Sequence, residues 1–186
     1  MSTEDNILIS QLADPNTRRD AFAAVVRQYS ERLYWHIRRI VITHDDADDV
    51  LQNTFMKAWA ALDDFHGTSQ ISTWLYRIAV NESLDHLRRN KNKISADADI
   101  SVANKLTADD YFDGDSAAAL LQEAISTLPE VQRTVFSLRY YDEMKYSDMS
   151  SVLGTSEGAL KASYHIAVKK ISQYVLNHRS NISSKD

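Results

Sequence analysis

DFHGTSQISTWLYRIAVNESLDHLRRNKNK, residues 64–93, passes from a polar loop around Gly67 into a helix carrying Trp74, Tyr76 and Arg77. It ends in the basic cluster Arg88, Arg89, Lys91 and Lys93. A polar pocket beside aromatic faces and cations suits unstacked bases and a phosphate backbone better than a small metabolite. Trp74 and Tyr76 read as core-packing side chains, and Arg77 and Asn81 as strand contacts. Cations at a helix C-terminus favour the negative end of its dipole, but four of them exceed what capping requires.

Upstream, Phe22, Val25, Val26, Tyr29, Leu33, Ile37 and Ile40 recur at i, i+3, i+4 and i+7, which predicts an amphipathic helix over 20–41. Ile7, Leu8 and Leu12 predict a short helix before it. After a polar break at 43–46, a second amphipathic helix carries Ala47, Val50, Leu51, Phe55, Ala58, Trp59 and Leu62. Asp45 and Asp46 stand near its start, where carboxylates favour the positive end of the dipole. Residues 64–69 form a loop and 71–89 the third major helix. Together these make one helical domain of about 90 residues, a size that folds independently.

Residues 94–116 lack an apolar period and are dominated by Asp, Ala, Ser and Asn, which predicts a mobile acidic linker. A second module begins with Ala118, Leu120, Leu121, Ala124 and Ile125. Thr127-Leu-Pro-Glu130 fits a capping box with Pro129 in the first turn. The following helix is expected to turn Val131, Val135, Phe136 and Leu138 to a core. Residues 147–153, a turn at Gly154 and a last helix over about 156–175 then give two helices joined by a tight turn, the helix-turn-helix pattern. In that motif the N-terminal part of the second helix enters the major groove. Here it offers Ser156, Glu157, Lys161, Ser163 and His165, with Lys169 and Lys170 further along, while Leu160, Tyr164, Ala167, Val168 and Ile171 mostly face the core. The expected fold is all-α: a helical bundle at 1–93, a linker at 94–116, a helix-turn-helix domain at 117–178 and a tail at 179–186.

The bulk composition agrees with this organisation. Among 186 residues there are only 4 Gly and 2 Pro, which favours helix throughout. No apolar run approaches the roughly 20 residues of a membrane span, and the acidic start MSTEDN is not a secretory signal. The cytoplasm is therefore the expected compartment. Zero cysteines exclude disulfides and thiolate metal sites. His44, Asp45, Asp46, Asp48, Asp49 and His86 follow no ligand spacing, so neither a metal nor any other cofactor, and no enzyme, is expected. The net charge is −5, yet residues 75–93 balance to +3 and 95–116 to −5. A basic patch beside an acidic tether points to two modules. An acidic total also predicts weak binding to free duplex DNA, because few phosphates are neutralised at once. A larger partner supplies the missing cationic surface.

DADDVLQNTFMKAWAAL at 46–62, FHGTSQISTWLYRIAVN at 65–81 and LPEVQRTVFSLRYYDEMKYSDMSSVLGTSEGALKASYHIAVKKI at 128–171 resemble the group IV, or extracytoplasmic-function (ECF), sigma factors of bacterial RNA polymerase. The first two are similar to sigma region 2 and the third to region 4. The resemblance implies that Asp48, Asp49, Gln52, Asn53 and Lys57 dock on the core polymerase; the family usually has an acid where Asn53 stands. It implies a flipped-base pocket for the −10 element in the loop of Phe65, His66, Gly67, Thr68, Ser69 and Ser72, with Arg77, Asn81, Arg88 and Arg89 on the strand. The family often has Arg at the position of His66, and commonly at those of Ser163, Ile166 and Val168. Glu82 and Asp85, on the face of Asn81, are expected to repel phosphate. The implied partners are core RNA polymerase, promoter DNA and an anti-sigma factor. The competing reading is a stand-alone helix-turn-helix regulator whose N-terminal domain senses a ligand or dimerises.

Overall fold

A computed structural model describes residues 3–65, 67, 69–93 and 116–183. The first part carries α1 (Thr3–Ala13), α2 (Arg18–Val41), α3 (His44–Ala60), a 3-10 turn at Leu62–Asp64 and α4 (Ile71–Lys93). The second carries α5 (Ser116–Ser126), α6 (Glu130–Tyr140), α7 (Tyr146–Leu153) and α8 (Glu157–Ser183). Among the described residues there is no strand, so the all-α expectation holds. These residues divide into two compact units, one centred on α1–α4 and the other on α5, α6 and α8. The linker expected at 94–116 lies, but for Ser116, outside the described residues.

In the first unit, α2 turns Val25, Tyr29, Leu33, Ile37 and Ile40 inward, the face its periodicity predicts. α3 answers with Ala47, Val50 and Ala58, and α4 with Ile71, Leu75, Tyr76, Ala79 and Val80. Phe22 on α2 meets Phe55 and Trp59 of α3 edge-on, with ring centroids at 6.4 and 5.1 Å. Trp59 nevertheless stays 45% exposed, and Ile7 of α1 54%. Neither is the core residue that periodicity implies, because each lies at the rim of its helix's apolar stripe.

α2 stops at Ile42, whose N–H bonds the Arg38 carbonyl at 2.9 Å with φ 78°. A β-branched residue in this left-handed region is strained. The next helix then starts at once: Thr43 is the N-cap of α3, its hydroxyl oxygen accepting the Asp46 N–H at 3.3 Å while its O–H bonds the Asp46 carboxylate. Asp46 also holds His86 of α4 at 2.9 Å. Thr43→Ala removes the cap and loosens this link, and we expect a loss of about 1 kcal/mol in first-unit stability by urea denaturation.

The second unit has its own core of Ala124, Ile125, Leu128, Phe136, Ala167 and Ile171. The capping box does not form. α6 begins at Glu130 with Pro129 as N-cap and no side-chain cap bond, and the Thr127 hydroxyl donates back to the Ala124 backbone carbonyl at 2.7 Å. Serine and threonine make such local bonds readily, and here the preceding helix wins the hydroxyl. Val131 is 64% and Val168 37% exposed, so both leave the core assigned to them. Arg139 donates to the Met144 carbonyl at 3.2 Å and lies over the Tyr146 ring, tying α6 to the start of α7. Gly154 closes the turn before α8 with φ +62°, a conformation glycine adopts without cost. α8 continues to Ser183, beyond the end near 175, because no Gly or Pro interrupts residues 176–183.

Burial, and then the Glu123 carboxylate to which it hydrogen-bonds, push the Tyr174 phenol up to about 12. A folded value above the ordinary one near 10 stabilises the unit fully below about pH 10, and that contribution fades as pH rises toward 12. Tyr174→Phe should therefore flatten the fall in second-unit stability between these pH values, followed by circular dichroism melts.

Candidate nucleic-acid interface

The loop between the 3-10 turn and α4 starts from Phe65, half-buried and stacked on Trp74 at 4.5 Å between centroids. This contact anchors the loop to the helix and takes up one face of each ring. Gly67 has φ +66°, and a Cβ there would meet Ile9 Cγ2 at 3.1 Å. The positive φ favours glycine and an added methyl would press on Ile9, so the loop is shaped by α1 as well as by its own polar residues. Gly67, Ser69 and Ser72 are half-buried. His66 and Thr68, expected in the same pocket, lie outside the described residues.

Along α4, Arg77, Asn81 and Arg88 are exposed and spaced i, i+4, i+11, which sets them on one side of the helix. Arg89, also exposed, lies on the flank. Tyr76 is buried and meets His36 edge-on at 5.0 Å. Asn81 borders a shallow cleft of about 450 Å³ lined by Lys57, Ala61, Ile78, Glu82 and Asp85. The expectation for Glu82 is corrected here. It is 4% exposed and its carboxylate bonds the Lys57 ammonium, so it is a neutralised core-edge group and not a surface charge repelling phosphate.

On α3, Asp48, Asp49, Gln52 and Asn53 are all exposed. Met56 continues that face at 62% exposure, with Trp59 beside it. Sequence reasoning missed Met56 and placed Trp59 in the core; the signal was their i+4 and i+7 spacing from Gln52. Lys57 sits on the flank toward α4, where it meets Glu82. The candidate metal set is divided among other contacts: His44 bonds the Tyr34 hydroxyl at 2.6 Å and Asp48 at 3.5 Å, and Asp46 is held by Thr43 and His86. Among the described residues no three His, Asp or Glu side chains are placed to hold a metal ion.

In the second unit, Ser156 accepts the Ala159 N–H at 3.3 Å and so caps α8. Glu157, Lys161, His165 and Lys169 are exposed along the helix. Lys161 lies 3.5 Å from Glu157 and over the Tyr146 ring. Lys170 bonds Gln132 of α6 at 3.0 Å. Ser163 is half-buried, its Oγ shielded from solvent. Ile166, 44% exposed, stands on the outward side opposite Leu160, Ala167 and Ile171. Among the described residues, no helix is long and apolar enough to cross a membrane.

Comparison with known proteins agrees with this geometry. Residues 25–93 match the family model for sigma-70 region 2, and residues 118–171 the model for sigma-70 region 4. The chain is 32% identical over 158 residues to the ECF RNA polymerase sigma factor SigW of Bacillus subtilis, covering 79% of this chain and 84% of that one. It is 30% identical over 175 residues to the RNA polymerase sigma-H factor of Pseudomonas aeruginosa, covering 86% and 87%. Among solved structures, CnrH in complex with the cytosolic domain of CnrY aligns with a TM-score of 0.67 and 28% identity, over 92% of this chain and 96% of that one. The sigma factor RpoE of Bartonella quintana, solved with the anti-sigma factor NepR, shares the fold at TM-score 0.65 and 21% identity, over 83% and 96%. With both regions present in order, and relatives of this kind matched over most of its length, the chain belongs to the ECF sigma factors of RNA polymerase, within the sigma-70 family.

Proposed function

We propose that this sigma factor joins core RNA polymerase through the exposed face of α3, namely Asp48, Asp49, Gln52 and Asn53 extended by Met56, with Lys57 at its flank. Residues 1–93 then read the −10 element. Phe65–Ser72 form the pocket for an extruded base, and Arg77, Asn81, Arg88 and Arg89 hold the strand. Extruding a base costs a few kcal/mol, which contacts to its edge and faces offset. Residues 117–178 read the −35 element through α8, with Ser156, Glu157, Lys161, His165 and Lys169 near the groove, while the shielded Oγ of Ser163 takes it out of the expected contact set. Residues 94–116 serve as the tether. The protein makes and breaks no covalent bond, and duplex opening follows from capture of the unstacked base.

The observation that carries this reading is the pairing of a region 2 unit with a region 4 unit in one chain, each presenting an exposed polar helix face. The chain's net charge of −5 supports a division of labour in which polymerase supplies most of the phosphate neutralisation. We further assign it to the cytoplasm, where its template lies, and to control by an anti-sigma factor that covers the α3 face. The relative CnrH, itself solved in complex with the cytosolic domain of another protein, supports that last assignment.

The test is transcription in vitro with added core polymerase on templates whose start sites have been mapped after controlled expression. Promoter-specific initiation that depends on the chain is the expected result. Specific duplex binding without polymerase, coupled to no affinity for the core enzyme in a pull-down, is the pattern that defeats the proposal.

A further inference from the structure

The outward side of the second helix in the helix-turn-helix is less ionic than a phosphate-binding face needs to be. Leu160, Ala167 and Ile171 are buried and fix which side of α8 faces the unit's own core. On the opposite side lie Gly158, Ala162, His165, Ile166 and Lys169, all exposed. Gly158 and Ala162 extend no further than a methyl group, so Ile166 is the longest apolar side chain on that side of the N-terminal half. It stays 44% exposed. Lys169 stands beside it, while Lys161 lies on the far flank of that side and is already steered by Glu157 and Tyr146. A cation beside a branched hydrocarbon on one exposed side suits a DNA groove, whose walls are phosphate and whose floor is base edges.

In the major groove each base pair displays a distinct pattern of donors and acceptors, and thymine alone adds a C5-methyl group. Isoleucine has no donor or acceptor, so the groove feature it can recognise by burial is that methyl. We propose that Ile166 is a specificity-determining residue of the −35 contact, packing against the C5-methyl of a thymine. The inference rests on the proposed promoter function. It assigns Ile166 a base preference through hydrocarbon contact, where an arginine would read guanine through O6 and N7.

Deoxyuridine tests this directly, because it keeps thymine's pairing and its O4 acceptor and lacks only the methyl. Templates carrying single thymine-to-uracil replacements across a mapped −35 element are transcribed with core polymerase and the full chain. At one position the wild-type chain should lose about fourfold in initiation at subsaturating protein, the value of one buried methyl-sized group. Ile166→Ala, at an exposed site where folding is checked by its circular dichroism melt, should start lower on the thymine template and show no loss on the uracil one. Ile166→Val, which shortens but keeps the branched surface, should retain part of the methyl effect. A −35 element without thymine, no position with a methyl effect, or an Ile166→Ala chain as methyl-sensitive as wild type each overturns the inference while leaving the promoter reading intact. Absence of initiation on the all-thymine template overturns that reading, and this inference with it.

Discussion

Lys57→Ala is expected to destabilise the first unit by about 2–3 kcal/mol. Its ammonium pairs with Glu82, whose side chain is 5% exposed while that of Lys57 is 60% exposed. Removing one member of a buried pair strands the other charge in a poorly solvated place, at a cost of about 3–5 kcal/mol when both are enclosed. The open side of this pair admits water, which places the expected value below that range. Replacing both, as Lys57→Met with Glu82→Leu, removes the stranded charge and should restore stability to within about 1 kcal/mol. Fluorescence makes the measurement local: the three tryptophans, Trp35, Trp59 and Trp74, all belong to the first unit, so a urea melt followed at their emission ignores the second. Equal losses in the single and double variants would show that the pair does not act as described. The double variant also separates two roles, because a folded chain lacking Lys57 loses polymerase affinity only to the extent that Lys57 touches the polymerase.

Periodicity carried most of the architecture. Val25, Tyr29, Leu33, Ile37 and Ile40 recur at helical spacing, and all are buried on one side of α2; the same logic located α3, α4 and α6 within a few residues. What it could not convey was the depth of each side chain at the edges of the apolar stripes. Trp59, Val131 and Val168 satisfy the spacing and still face solvent, because a stripe's width depends on how far the neighbouring helix reaches. Glu82 is the converse. A carboxylate reads as a surface group until a lysine 25 positions earlier in the chain is known to meet it. The stop at Ile42 was invisible for a different reason: a left-handed residue is normally announced by glycine, and here an isoleucine takes the strain.

The candidate sites were legible in kind more than in detail. Gly67 could be placed in a loop from its neighbours, but the methyl group of Ile9 that crowds a side chain there belongs to α1, 58 positions away. The polar face Asp48–Asn53 was visible in sequence, whereas Met56 was passed over because a lone methionine in an amphipathic helix reads as core. On α8, the ionic residues were read as the groove contacts and Ile166 only as a position where the family commonly has Arg; its 44% exposure is visible in the structure alone.

Reversing Asp48 and Asp49 to lysine together should weaken association with core polymerase by more than about a hundredfold, near 3 kcal/mol. Both carboxylates are exposed on α3, and Asp48 meets the equally exposed His44, so folding depends little on either. Surface replacements away from packed features change stability by about 0.5 kcal/mol at most. Binding is a different matter, because an interface built around acids meets cations, and like charges forced together across it cost several kcal/mol. Each replacement adds two positive charges, moving the chain from −5 toward −1, which should if anything strengthen nonspecific attraction to DNA. A competition pull-down against the unaltered chain, with duplex binding measured in parallel, therefore sees the two effects move in opposite directions. Conservative replacement by asparagine removes charge without repulsion and should cost far less, about tenfold. Retention of affinity within threefold by the double lysine variant would place the polymerase contact on another face, and Met56 and Trp59 would then need a different partner to explain their exposure.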